Sequence, residues 1–321
     1  MAPYSRSSLI AGILSSPIDV DKVAYLQDDS TMTGIRYGQG IDLDALLGSL
    51  RAPRPEEIDH RHPVIAINDK GLSAAESVAV ARYWMLKRVY WHHTNRAIMA
   101  MVKFVIASLL EAGRLDMVAY LRQGLFGTET EAIGYLSGAF QRAAESGAFD
   151  TRHTHIVNTL IGLQPGYRAL YKRILTIAPG TSSSDRYLYR RMEGTPYAEL
   201  LDVAQEIADR LEEELRLSDR LKVGEVLVDV PYKEREGIGG KLGGQVYVYP
   251  RSRSGTVQPL EQYSPVLESL RDQFDQHIEK CRVFIHPRVH ALIGPQLEAA
   301  QEVAREVLEE RAGGGRRGGL G

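Results

Sequence analysis

The chain has 321 residues, with 39 Lys and Arg against 41 Asp and Glu, for a formal net charge of −2. So balanced a charge excludes a general nucleic-acid coat or an acidic-tail protein, both of which need a large excess of one sign. Hydrophobic residues at 44% and charged residues at 25% describe a globular chain with a real core and exclude disorder as the main state.

Taken in chain order, Met1-Ala2-Pro3-Tyr4-Ser5-Arg6 lacks the basic start and unbroken apolar stretch of a signal peptide, which makes the cytoplasm the expected compartment. From about Ser15 apolar residues recur at helical spacing, most strongly over Ser73–Gly113, Thr128–Ser146 and Gly166–Thr176. Ser73 and Glu76 have capping-box spacing, which predicts a long helix behind them. Pro63-Val64-Ile65-Ala66-Ile67 is the exception and reads as a buried strand. The apolar run Ala97–Leu110 is broken by Lys103 and falls short of the roughly 20 residues a bilayer crossing needs.

Pro179-Gly180-Thr181 with Ser182–Ser184 reads as a loop, and composition shifts there. The expected organisation is a helical region over 1–178, a small α+β region over 179–311 and a disordered Gly/Arg tail over 312–321. The fold class is therefore mainly α with a small C-terminal α+β part. A helix is predicted over Pro196–Leu217, with Leu200, Leu201, Ala204, Ile207, Ala208 and Leu211 on one face. Strands follow at Glu225–Val230, Gln245–Tyr249 and Arg282–Ile285, and helices at Pro265–Lys280 and Arg288–Arg311 flank the last of them. Cys281 is the sole cysteine, which excludes a disulfide framework and a thiolate metal site within one chain.

The chemistry concentrates near the start, in Ile18-Asp19-Val20-Asp21-Lys22 through Tyr25, Asp28 and Asp29, followed by Thr33-Gly34-Ile35-Arg36-Tyr37-Gly38. On a helix Asp21, Tyr25 and Asp28 share one face, with Lys22 and Asp29 at its edge. A carboxylate suits a hard cation, a Lys suits phosphate, and a Tyr hydroxyl beside a second carboxylate suits a sugar. The plainer reading is a helix start in which Asp19 and Asp21 meet the macrodipole and Tyr25 enters the core.

This first block resembles the last core motif of the HD-domain phosphohydrolases that act on deoxynucleoside triphosphates. A second block, Ala81-Arg82-Tyr83-Trp84-Met85-Leu86-Lys87-Arg88-Val89-Tyr90-Trp91-His92-His93-Thr94, resembles the following helix of the same family. A third set, Leu227-Val228-Asp229-Val230-Pro231 with Tyr263-Ser264-Pro265 and Val283-Phe284-Ile285-His286-Pro287, is similar to its C-terminal region. The resemblance implies the C-terminal portion of a helical HD fold. It implies a metal ligand at Asp21, triphosphate contacts from Lys22 and Arg82, sugar contacts from Tyr25 and Asp29, and a place near sugar or base for Tyr90, with His92 joining the substrate-binding set. Leu86, between Arg82 and Tyr90, stands where relatives often carry a polar residue.

The sequence departs from the family in one large respect: it contains no His-Asp dipeptide. His60 and His62 lie in a Pro-rich segment at a spacing that does not share a helical face, and His92 and His93 are adjacent, so neither pair replaces the missing ligands. A divalent cation (Mg, Mn or Fe) is thus expected only if ligands arrive from another segment or subunit. The implied partners are a dNTP and further chains, either copies of this one or a subunit carrying the His-Asp motif, with no membrane and no strong nucleic-acid signal. The competing expectation is a non-catalytic nucleotide-binding or scaffold subunit of the same descent. Gly237–Gly244 lacks the Ser/Thr of a phosphate loop and reads as a hairpin loop, while His286, Pro287 and His290 read as the start of a capped surface helix.

Overall fold

The computed structural model of the protein describes residues 10, 13–14, 18–52, 65–149, 170–231, 246–249 and 257–314. His60, His62, the Gly237–Gly244 loop and the tail beyond 314 lie outside the described residues. The fold is mainly α with small sheets. It divides into two units, each assembled from two stretches: Met1–His92 with Lys233–Glu279, and His93–Tyr232 with Lys280–Gly321. The expected boundary near residue 180 falls inside the second unit.

In the first unit, helix α1 (Val20–Thr33) starts at Asp19, whose side chain accepts the Lys22 amide at 2.7 Å, and ends at Gly34 in the left-handed region, φ 71°. A 3₁₀ turn, Arg36–Gly40, folds back on α1. Gly38 is needed there, because a Cβ would sit 1.9 Å from the Leu26 carbonyl oxygen. Helix α2 (Leu43–Ser49) leads into β1 (Leu50–Arg51) and β2 (Ile65–Asn68), followed by α3 (Leu72–Met85). The later stretch adds β5 (Val246–Tyr249), β6 (Gln258–Pro259), α9 (Leu260–Tyr263) and α10 (Pro265–His277). The sheet order is β1-β2-β5-β6, with the β2/β5 pair parallel, so segments about 180 residues apart in sequence make its centre. Period-2 alternation gives it two faces: Ile67, Val246 and Val248 join the main core, while Ala66 and Tyr247 make a smaller cluster behind. That main core also takes Leu26, Val78, Met85, Leu267 and Phe274, so it is built from α1, α3 and α10.

In the second unit the elements are α4 (His93–Glu111), α5 (Met117–Phe126), α6 (Glu129–Glu145), β3 (Lys172–Ile177), α7 (Ser183–Glu193), α8 (Tyr197–Glu214), β4 (Val226–Asp229), β7 (Cys281–Ile285), α11 (Pro287–Ile293) and α12 (Leu297–Gly314). The antiparallel sheet runs β3-β7-β4. Every residue of β7 is buried, which is what a strand covered on both faces requires. Cys281, Val283 and Ile285 face α7, α8 and α12, and Phe284 with Leu227 faces α4 and α6.

Four expectations are corrected. The helix expected over Gly166–Thr176 is, in its described part, the strand β3, because Lys172, Arg173, Leu175, Thr176 and Ile177 pair with β7, with Ile174 at an irregularity in the register, and a β ladder outweighs a short helical period. The Ser73/Glu76 capping box does not form: α3 starts a residue earlier, from a 3₁₀ turn capped by Asn68, and Glu76 instead accepts the Ser264 hydroxyl that caps α10. The long helix behind it is interrupted by a π-helical turn at Leu86–Tyr90 and a break at Trp91 and His92. The helix expected over Arg288–Arg311 is divided at Gly294, φ 53°, and its second part runs on to Gly314, beyond the expected boundary at 311. Among the described residues no helix is long and apolar enough to cross a membrane.

Candidate functional site

The residues singled out in the two N-terminal blocks converge within the first unit. Helix α1 presents Tyr25 and Asp29 one turn apart, and the π-helical turn behind α3 presents Tyr90 to them. Tyr90 donates its hydroxyl to Asp29 Oδ2 at 2.6 Å, and its ring meets that of Tyr25 edge-on, with centroids 5.9 Å apart. The π turn explains why Arg82 and Tyr90 serve one face. Eight residues of regular α-helix would leave them about 80° apart around the axis, and the wider i→i+5 turn, which takes up more residues per turn, brings them back toward alignment.

The electrostatics place the other candidates around Tyr25. Burial raises its hydroxyl pKa, the Arg82 guanidinium opposes that rise, and the carboxylates of Asp19, Asp21 and Asp29 reinforce it. Asp28, expected on this face, is exposed; Asp29, one full turn beyond Tyr25, is the carboxylate that Tyr90 meets. Tyr90 is pushed far above the ordinary tyrosine value, first by burial and then by its bond to Asp29, so it is a hydrogen-bond donor throughout the physiological range. Arg82 is half-buried, and its Nη1 is shut off from solvent with no hydrogen-bond partner among the described residues. A guanidinium N–H in that condition is a donor in want of an acceptor.

Three further candidates lie around this cluster. Lys22 is engaged by the buried Asp19 through both its amide and its ammonium, so the Lys nearest Asp21 is bound within its own helix turn. Asp21 is exposed in the first turn of α1, where it also complements the helix dipole. His92 is exposed at the break after the π turn. Beside the site, Tyr37 stacks on Trp84 at 5.0 Å between ring centroids, and Lys87 Nζ lies 5.1 Å from the Trp84 ring. This aromatic and cation stack was inside the quoted motifs, but spacing alone does not show that the turn after α1 returns to α3.

Among the described residues no group of three or more His, Cys, Asp or Glu side chains is placed to hold a metal ion. Asp21 supplies one carboxylate, so the described residues by themselves do not fit a metal centre.

Residues 56–123 match the family model described as "HD associated region". The match takes in Arg82, Tyr90 and His92. A 97-residue stretch is 33% identical to the uncharacterized protein YwfO of Bacillus subtilis (strain 168), covering 30% of this chain and 20% of that protein. Another, of 113 residues, is 34% identical to the uncharacterized protein MJ1154 of Methanocaldococcus jannaschii, covering 35% of this chain and 24% of that one. The matches thus span about a quarter or less of the curated relatives' length. A crystal structure of a hypothetical protein from Aquifex aeolicus aligns over 92% of this chain and 59% of its own, with 17% identity and a TM-score of 0.47.

Sequence reasoning missed one further feature, a cavity in the second unit lined by His93, Thr94, Leu170, Tyr171, Lys172, Arg173 and His290. Lys172 and Arg173 were hidden by the helical reading of their segment.

Proposed function

We propose that this chain contributes the phosphate- and sugar-facing wall of an HD-type phosphohydrolase that cleaves deoxynucleoside triphosphates to deoxynucleoside and triphosphate. The observation that carries the reading is the buried, unsatisfied Nη1 of Arg82 beside the Tyr25, Tyr90 and Asp29 cluster. A guanidinium with an open donor neutralises and orients a polyanion. The Tyr25 hydroxyl and the Asp29 oxygen not taken by Tyr90 offer a donor and an acceptor to a sugar hydroxyl. Tyr90, fixed by Asp29, closes the cluster and limits the sugar's position. The exposed Asp21 is one carboxylate facing the same neighbourhood, and the remaining ligands of a divalent cation would come from another segment or subunit.

The match to an HD associated region supports this reading, as does the exposed apolar side of α5, where Val118, Leu121, Leu125 and Phe126 favour assembly with further chains. The proposed compartment is the cytoplasm. The test is dNTP hydrolysis with manganese or magnesium, by this chain alone and mixed with the gene product encoded immediately upstream. Turnover in the mixture and not in the chain alone is the expected result; no turnover in either, with both proteins folded, overturns it.

A second reading is favoured because no three carboxylates or other ligands among the described residues are placed to hold a metal ion: a nucleotide-binding subunit without hydrolysis, using the same Arg82 and tyrosines. Calorimetric titration separates the two. Under this reading dNTP binds the chain without turnover in any mixture, and Arg82→Ala weakens that binding.

A further inference from the structure

The second unit holds a cavity of about 590 Å³, in the size range of small-molecule sites, between the first turn of α4, the residues entering β3 and α11. Its lining includes Lys172, Arg173, His93 and His290 and, among the described residues, no acidic one. Lys172 and Arg173 are exposed, and neither is ion-paired with an acid among the described residues. One wall is fixed: the buried Tyr171 donates its hydroxyl to the Gly224 carbonyl at 2.8 Å and meets the His286 ring edge-on. His93 and Thr94 stand at the amino end of a 19-residue helix, where the backbone dipole favours negative charge.

Behind the cavity lie buried charges of both signs: Glu225, ion-paired with Arg288 at 2.6 Å, stands beside Tyr171 and His286, and a group of cations surrounds Asp229. On the α4 side of the sheet, the buried Asp229 is shared by Arg96, which grips it with two hydrogen bonds of 2.7 and 2.5 Å, and by Lys103 Nζ at 3.6 Å, and Arg282 stands opposite it in the β4/β7 register. Burial lowers the Arg282 pKa to about 10; Asp229 opposes that fall, and the charges of Arg96 and Arg173 add to it. Arg173 therefore feels the charge of the cations gathered around Asp229, and it lines the cavity.

The geometry points to a second ligand site, separate from the Arg82 cluster: an anion-binding cavity that takes a small phosphorylated molecule, its phosphates held by Lys172, Arg173 and the amino end of α4. Lys172 and Arg173 alternate across the strand start and both line the cavity, with His93 and His290 in the same lining, so a group bearing more than one phosphate oxygen can be met from two sides, and Leu170 with Tyr171 offers an apolar floor to the rest of the ligand.

The test uses the full chain carrying Arg82→Ala, so that the first unit's guanidinium contributes nothing, titrated calorimetrically with inorganic tripolyphosphate at low salt. One remaining site is expected. Adding Lys172→Ala and Arg173→Ala weakens it at least about tenfold, and Arg173→Lys in the otherwise intact cavity retains most of the affinity. Both substituted side chains are exposed, so the fold, checked by circular dichroism, is unaffected. Absence of binding in the Arg82→Ala chain, or unchanged affinity after removal of both cations, overturns the site. The comparison of wild type with Arg82→Ala tests the first-unit reading on its own, so the two fail separately.

Discussion

Tyr90 and Asp29, 61 residues apart, are joined by a 2.6 Å hydrogen bond that ties the π-helical turn to α1. The bond fixes the tyrosine as the donor and leaves the carboxylate one open oxygen, so the pair is both a clamp between two elements and a polar surface for a ligand.

Tyr90→Phe removes the donor while keeping the ring against Tyr25, and is expected to cost about 1 kcal/mol of stability. The pH dependence follows from the raised pKa. The folded protein holds the Tyr90 proton more tightly than the unfolded chain, so this contribution is whole below the ordinary value of 10.0 and is lost as pH rises from there toward the folded value. Urea denaturation between pH 8 and 11 should show stability falling above pH 10 in the wild type and falling less steeply in Tyr90→Phe.

Arg82→Met separates binding from folding. The methionine keeps the unbranched apolar stem and removes a buried donor that has no partner among the described residues, so thermal stability is expected to hold or rise. Affinity for a dNTP should drop about tenfold or more, since the polyanion loses its guanidinium. Calorimetric denaturation and titration of one preparation measure both, and a fall in stability with unchanged affinity would make Arg82 a structural residue.

The Arg96 and Asp229 pair is buried, with side-chain exposures of 10% and 0%. Asp229→Ala leaves Arg96, Arg282 and Lys103 without their shared carboxylate, and should cost about 3–5 kcal/mol. Arg96→Met together with Asp229→Leu should recover part of that loss, which a double-mutant cycle in denaturant reads directly.

Gly38→Ala tests the close approach of the 3₁₀ turn to α1. The methyl would overlap the Leu26 carbonyl oxygen, so the turn must lift, at an expected cost of about 3 kcal/mol. Because the turn carries Tyr37, near-UV dichroism and tryptophan fluorescence should report loss of its stack on Trp84. Unchanged spectra and stability would show that the approach is looser than 1.9 Å implies.

Much of the first site was readable before any coordinates. Tyr25, Asp29, Arg82 and Tyr90 were singled out from two motif blocks, and the structure brings all four to one place. Spacing says less where a residue's partner is local and competing. Lys22 looked available for phosphate, yet the Asp19 that caps its own helix turn binds it. Asp28 looked aligned with Tyr25, yet Asp29 is the carboxylate that meets Tyr90. The second-unit cavity was illegible because Lys172 and Arg173 lie at the start of a strand whose pairing partner, β7, comes more than a hundred residues later.

The sequence alone determined a mainly helical chain with a small α+β part, the helix start at Asp19 and Asp21, and the residue types able to meet phosphate and sugar. These are local properties, set by periodicity and by side chains reaching backbone a turn away. The tertiary structure alone decided that the chain closes as two units each made of two distant stretches, that β2 finds its parallel partner in β5, and that Tyr90 finds Asp29. Those pairings depend on which buried faces and unsatisfied donors meet after long loops close, and no window of a few residues contains both halves of such a contact.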